Sequence, residues 1–350
     1  MKIAILVNDG SSLGVTEKTI WGDVHRVGCG GSELALITLC EGWVDRGYDI
    51  VLYNDPKEAG ASRFEQRPKD SFDTSEYHDV VIAFRTPNPK IIVANTPLKV
   101  WLSFDQFTSQ PFSNFAPHVD KIIGISKTQK DYFSDVYNIN NLQVIDLPLR
   151  VQDFDFSIEK VQNRLIFTSV PDRGLMNLHA MWPSIKKEVP DASLVITSDY
   201  RLWGSASPLN QPFYQHFLPF MATGAVQFLG ALPRVDYLKE LMKAELFVYP
   251  HKGQSDIHEL FCISAMEAQY ANAYPITSRY GALDTTNMGC KIDGDPTSPE
   301  FSTRFIDAVV EYLSDRVKLV TERSKVSSAI LERCSLDTIM NKWDEEVFGL

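Results

Sequence analysis

The chain alternates between short apolar runs and longer segments whose apolar residues recur every three or four positions. In the first half the runs are KIAILV (2–7), DIVLYN (49–54), DVVIAF (79–84), KVWLSF (99–104), KIIGIS (121–126) and LQVIDL (142–147). In the second half they are RLIFTSV (164–170), SLVITSD (193–199), VQFLG (226–230), ELFVYP (245–250) and AYPITS (273–278). Runs this apolar predict strands buried on both faces, and the helical segments between them predict βαβ units and parallel sheets. The pattern restarts near residue 164, after the polar, aperiodic stretch PLRVQDFDFSIEKVQN (148–163). The expectation is an α/β chain of two Rossmann-like, doubly wound domains, residues 1–150 and 151–334, facing across a cleft. The last segment, 335–350, opens on Ser335 as a helix N-cap and carries Ile339, Trp343 and Val347 at i, i+4 and i+8. It predicts a terminal helix packing back on the first domain.

Composition narrows the classes of function. With 350 residues, 44% of them hydrophobic, the chain can bury cores in two domains. A net charge of −11 argues against bulk nucleic-acid binding, which needs clustered Lys and Arg, yet leaves room for a nucleotide ligand. The pair Lys186–Lys187 reads as a solvated helix face. Five widely spaced cysteines without a C-x-x-C predict a reducing, cytoplasmic setting with neither a disulfide frame nor a zinc site. The N-terminus reads as a first strand rather than a signal peptide, and no run of 18 apolar residues exists to span a membrane.

Candidate chemistry falls at the ends of predicted strands, where doubly wound sheets bind ligands. The loop after the first strand is about 25 residues long, far beyond the usual βα connection. It ends in Gly28-Cys29-Gly30-Gly31-Ser32-Glu33 before a helix with Leu36, Leu39 and Trp43 on one side. Gly30 and Gly31 fit either a close approach to an anion at a helix N-terminus or a plain tight turn; Glu33 stands where a dinucleotide fingerprint needs its third glycine. Asp105 falls just past the fourth strand and fits an active-site role or a turn cap. Phe107, Phe112 and Phe115 read as loop packing. Arg173-Gly174 precedes a helix with Leu175, Leu178 and Met181 or Trp182 inward; Arg173 either binds a phosphate oxygen or pairs with Asp172.

HELFCISAMEAQYANAYP (258–275) holds Glu259 and Glu267. A helix is expected from about Phe261 to Ala271, with Ile263, Met266 and Tyr270 inward. Eight helical residues would hold the two carboxylates ~12 Å and ~80° apart, too far to share a proton or a metal. One long ligand, such as a nucleotide-sugar, can span them. Asp153-Phe154-Asp155 matches a D-x-D metal motif but lies in the expected linker, where it reads as chance. His118, His251 and His258 lack metal spacing; His251 or His258 can line a donor site, although a packed or surface histidine is the commoner case.

The E-x7-E spacing, the EAQYANAYP run and Gly281-Ala282-Leu283 resemble retaining GT-B glycosyltransferases of the glycogen-synthase and mannosyltransferase-like group (glycosyltransferase family 4-like). VQFLGALPRVDYLKELMKAELFVYP (226–250), KIIGISKTQKDYF (121–133) and GCGGSE are similar to further parts of that family, in order along most of the chain. The resemblance implies the GT-B fold, with an acceptor-side first domain and a donor-binding second domain. It implies metal-independent transfer from a UDP- or GDP-linked sugar, with the nucleotide-sugar as substrate and no cofactor. Glu259 would sit by the donor sugar near the anomeric carbon, and Glu267 would hold the ribose. The amides of Leu260, Phe261 and Cys262 would cradle sugar and diphosphate, Arg173 with Gly174 would contact the diphosphate, and Gly30 and Gly31 would let the first domain close over it. Asp105 occupies the region of a family histidine. Thr168-Ser169-Val170 stands where the family often has an arginine, and Asn272 where it often has glycine. The acceptor face falls to loops 8–32 and 104–118, whose mixed character fits a glycan or small molecule rather than a lipid. The alternatives are a nucleotide-sugar-binding protein without turnover and a nucleotide-sugar 2-epimerase.

Overall fold

The computed structural model describes residues 1–7, 29–56, 62–108, 111–197, 212–222, 224–252 and 258–350. They divide into two compact units: residues 1–7, 31–148 and 334–350 form the first, and residues 149–333 with 29–30 form the second.

The first unit is built on seven strands: β1 (Lys2–Val7), β2 (Asp49–Tyr53), β3 (Glu65–Arg67), β4 (Val80–Phe84), β5 (Leu98–Leu102), β6 (Lys121–Gly124) and β7 (Leu142–Val144). All pair in parallel, in the order β3-β2-β1-β4-β5-β6-β7. The second unit has six: β8 (Arg164–Phe167), β9 (Ser193–Ile196), β10 (Val226–Phe228), β11 (Leu246–Tyr249), β12 (Tyr274–Ser278) and β13 (Cys290–Ile292). These too are parallel, in the order β10-β9-β8-β11-β12-β13. Each sheet reverses its winding once, between β1 and β4 and between β8 and β11. Such a switch point splays the flanking loops apart and leaves a crevice at the carboxyl ends of the strands. The central strands are the apolar runs of the sequence; every residue of β4 and β11 is buried.

Two edge strands were not expected. β3 (EQR) and β13 (CKI) have three residues each, too few for a period to show, and they lie at the sheet margins. Several central strands also end sooner than the apolar runs do. β5 stops at Leu102 and β8 at Phe167, so Ser103–Asp105 becomes a loop one strand from the first switch point and Thr168–Val170 a loop at the second.

The helix Gly31–Asp45 differs from its expected one-sided pattern: residues 34–43 are all buried. The terminal segment covers its outer side. Ser335 caps the helix Leu336–Lys342 by accepting from the Thr338 amide at 3.2 Å, and Ile339, Trp343 and Val347 are buried. Trp343 meets Trp43 edge-on with centroids 5.0 Å apart, and Tyr48 Oη donates to Asp344 at 2.7 Å. A Cβ on Gly42 would lie 2.7 Å from Met340 Sδ, so the two helices touch through that glycine. Among the described residues no helix is long and apolar enough to cross a membrane, and all five cysteines are free thiols.

Candidate functional site

In the second unit, three loops meet beyond β8, β11 and β12. The first carries Arg173 and Gly174 and enters the helix Leu175–Glu188, in which Leu175, Leu178, Met181 and Trp182 are all buried. Gly174 adopts φ +103°, and a Cβ there would lie 2.5 Å from the Pro250 carbonyl oxygen. Only glycine allows both the left-handed backbone and the close approach. Asn177 Nδ2 donates to the same carbonyl at 3.0 Å, which fixes the Arg173-Gly174 turn on the end of β11.

Arg173 turns toward Glu259, a partner that was not among the expected ones. Its Nη1 lies 3.3 Å from Glu259 Oε2, and Tyr249 Oη donates to that oxygen at 3.1 Å. Tyr249 Oη also lies 3.0 Å from Ser169 Oγ. Burial first, and then the Glu259 charge, push the Tyr249 phenol well above its ordinary pKa, so it stays a donor. Glu259 is 8% exposed. Its backbone is gripped by the third loop: Ala282 N–H donates to its carbonyl at 2.7 Å, and a Cβ on Gly281 (φ +58°) would lie 2.5 Å from that same oxygen.

The helix after Glu259 starts at Ile263 and ends at Tyr270, two residues later than expected at its start. Cys262 precedes it with φ +67°, a left-handed backbone that costs a non-glycine residue roughly 1–2 kcal/mol. This reversal puts Glu259 outside the helix, so the helical spacing between the two glutamates does not apply. The N–H groups of Leu260, Phe261 and Cys262 have no acceptor among the described residues. They sit at the positive end of a helix dipole. Burial, and then the Glu259 charge, push the Cys262 thiol well up, so it is protonated rather than nucleophilic. The inward stripe also differs: Ala265 to Gln269 are buried, while Ile263 and Tyr270 are only partly so. The helix is packed on several sides, and Gln269 donates to the Ala265 and Thr286 carbonyls at 2.9 Å each. At its far end Asn272 takes φ +58°, the conformation a glycine would favour.

A row of rings continues from Tyr249, the aromatic partner of Glu259. Tyr249 stacks on His251 (5.1 Å, 12°), His251 meets Tyr280 edge-on (5.3 Å), and Tyr280 stacks on His258 (5.5 Å, 15°). Burial lowers His251 to a pKa of about 4, opposed by the Glu259 charge, so the imidazole is neutral near pH 7. The middle of the expected 251–259 loop, residues 253–257, lies outside the described residues, as do residues 8–28 and 109–110 of the expected acceptor loops.

Glu267 has its own partners. It is 3% exposed, and Arg234 Nη2 lies 2.8 Å from its Oε1. Arg234 also donates through Nε to Asp153 Oδ2 at 2.5 Å, an oxygen that receives Arg150 Nε at 2.9 Å. The D-x-D triplet is therefore divided. Asp153 is a buried ion-pair acceptor, whereas Asp155 accepts from Ser157 in a local turn. The stretch read as a plain linker thus contains buried Leu149 and Arg150. Among the described residues no group of His, Cys, Asp and Glu is arranged to hold a metal.

In the first unit, Asp105 meets a residue that the sequence did not single out. Arg85, just past β4, donates to Asp105 through Nε and Nη2, both at 3.0 Å, and its Nη1 lies 3.7 Å from Glu33. Arg85 has φ +63°, and its carbonyl accepts from Trp101 Nε1 at 2.9 Å. Gly31 opens the helix that presents Glu33 in its first turn, and Gly30 stands just before it. Phe112 and Phe115 pack on Trp101 as expected of loop packing, and Phe107 is exposed.

Neither a protein-family model nor a curated protein matches the chain. Solved structures do. HepE of Anabaena in complex with UDP-glucose superposes with a TM-score of 0.71 at 15% identity, covering 100% of both chains. A sucrose-phosphate synthase from Thermosynechococcus elongatus gives 0.69 at 13% identity over 99% of each chain. WaaG, a glycosyltransferase involved in lipopolysaccharide biosynthesis, gives 0.66 at 13% identity over 100% of both. At these identities the likeness shows the fold: two Rossmann-like, parallel-sheet domains, as in GT-B glycosyltransferases.

Proposed function

We propose that this chain is a glycosyltransferase that moves a sugar from a nucleotide-sugar donor to an acceptor, with retention and without a metal. The observation that carries the reading is the convergence of Arg173, Glu259 and three amides without an acceptor among the described residues at one helix N-terminus, at the switch point of the second sheet. A guanidinium beside a dipole's positive end suits a leaving diphosphate, whose charge grows in the transition state. Glu259, oriented by Tyr249, takes the sugar hydroxyls near the anomeric carbon. Leu260, Phe261 and Cys262 supply the amide cradle, and Gly174 lets the turn that carries Arg173 close on Pro250. Glu267 takes the ribose. Asp105, held by Arg85, is the acceptor-side candidate, and the acceptor is a glycan or small molecule. The fold likeness to proteins solved with UDP and UDP-glucose supports the donor class.

A second reading, donor binding without turnover, draws on one feature. Ser169, where a second cation would stand, offers only a hydroxyl to Tyr249. Incubation with UDP-, GDP- and ADP-sugars, with and without candidate acceptors, followed by mass and proton NMR of the products, separates the two. Transfer that survives chelation supports the main reading. Binding with neither transfer nor hydrolysis supports the second, and acceptor-free change of the donor sugar alone points to epimerisation. Absence of binding to every nucleotide overturns all three.

A further inference from the structure

Four buried charges meet at Glu267: its own, and those of Arg234, Asp153 and Arg150. Glu267 and Asp153 each lie almost wholly out of solvent, with side chains 4% and 1% exposed, and Arg150 and Arg234 at 5% each. Charges this deep persist only when paired, and here two cations meet two carboxylates. The pairs are not equivalent. Asp153 Oδ2 accepts from both arginines, whereas Arg234 is the residue that reaches both carboxylates. Anchoring Nε on Asp153 fixes where the guanidinium lies, with Nη2 in ion-pair contact with Glu267 at 2.8 Å but without the geometry of a hydrogen bond. Arg234 opens the helix Arg234–Lys243 just beyond β10, and Asp153 ends the short turn Val151–Asp153 that precedes β8. The carboxylate is thus held from two separate elements of the same unit.

We propose that Arg234, oriented by Asp153, is a positioning residue for Glu267 and sets the selectivity for the hydroxyls of the donor nucleotide's ribose. The inference rests on the reading of Glu267 as the ribose carboxylate. A carboxylate discriminates a hydroxyl from a hydrogen only while it is held facing it, and the buried charge of Arg234, fixed in place by Asp153, holds it there. Lysine in its place keeps the charge but loses the fork.

Calorimetry with UDP, GDP and ADP, their 2′,3′-dideoxy counterparts and inorganic pyrophosphate tests this on the full chain. The parent is expected to prefer the ribonucleotide by about tenfold or more, the size of a hydrogen bond to a charged group. Arg234→Lys and Asp153→Asn each bring that ratio to within about twofold of unity, with pyrophosphate affinity unchanged to about twofold, since neither residue faces the diphosphate. Glu267→Gln loses the ratio equally, and Arg234→Lys adds nothing in its background. Asp153→Asn is nearly isosteric and keeps the test open if Arg234→Lys unfolds, which a thermal melt reports. If Arg234→Lys and Asp153→Asn keep the parent ratio while Glu267→Gln loses it, this proposal alone is wrong. It is also wrong if ribonucleotide, dideoxynucleotide and pyrophosphate all weaken in parallel, because the role is then only structural. A parent that binds no nucleotide, or shows no ribose preference, overturns the reading of Glu267 and this inference with it.

Discussion

At the switch point of each sheet an arginine faces a carboxylate, and the two pairs are built differently. In the first unit Arg85 grips Asp105 with two bonds of 3.0 Å, its backbone turned to φ +63° and its carbonyl held by Trp101. In the second, Arg173 reaches Glu259 through one contact of 3.3 Å on an oxygen shared with Tyr249. The first pair is a saturated fork, the stronger geometry for a guanidinium and a carboxylate. The second leaves guanidinium donors beside a helix N-terminus. Equivalent topology thus gives one locked pair and one held by a single contact, and on that ground we propose that the donor chemistry belongs to the second.

The sharpest way to break this contrast is to remove the loose pair. Arg173→Ala and Glu259→Ala are each expected to lower the transfer rate by about 100-fold or more, the usual cost of deleting one transition-state donor. Circular-dichroism melts should stay near those of the parent, and near-parental activity in either variant would refute the role of the residue removed. Next comes the grip on Glu259. Gly281→Ala forces a Cβ against the Glu259 carbonyl at a positive φ. A loss of about 1–3 kcal/mol in urea unfolding, with slowed transfer, is expected. Unchanged stability would mean that the loop is not held there.

The locked pair answers differently. Arg85→Ala should cost about 1–2 kcal/mol of stability, and Asp105→Asn should slow transfer by less than about tenfold. If Asp105→Asn abolishes turnover as fully as Glu259→Ala, the contrast collapses and Asp105 is itself catalytic. The smallest effect at neutral pH concerns His251, whose pKa falls from an ordinary 6.5 to about 4. As pH drops through that window the unfolded chain takes a proton that the fold excludes, so stability is lost on the way down and is unaffected above it. Denaturant titrations of His251→Asn should show a flatter decline than the parent between those pH values; an identical slope contradicts the assignment.

The central strands and the placement of Glu259, Arg173 and Asp105 at their carboxyl ends could be read from the sequence because burial on both faces leaves uninterrupted apolar runs. EQR and CKI could not, since three residues at a sheet edge carry no period. Arg85 and Arg234 were invisible for another reason: a loop arginine's partner depends on which other loops the sheet order brings beside it. Neighbours in sequence do not predict it. The later start of the helix after Glu259 was not legible, because Cys262 takes a left-handed backbone at a position where no glycine advertised the turn. Gly281 was noted only through family resemblance, although its work is to let the chain pass against Glu259.

The central claim is that Arg173 and the helix N-terminus beside Glu259 hold a donor diphosphate. Calorimetric titration of the parent and of Arg173→Ala with UDP- and GDP-sugars tests it directly. The account predicts saturable binding of at least one donor by the parent, weakened about tenfold or more in Arg173→Ala by loss of a charged hydrogen bond. Equal affinity in the two proteins, or no binding of any donor to the parent, would contradict it.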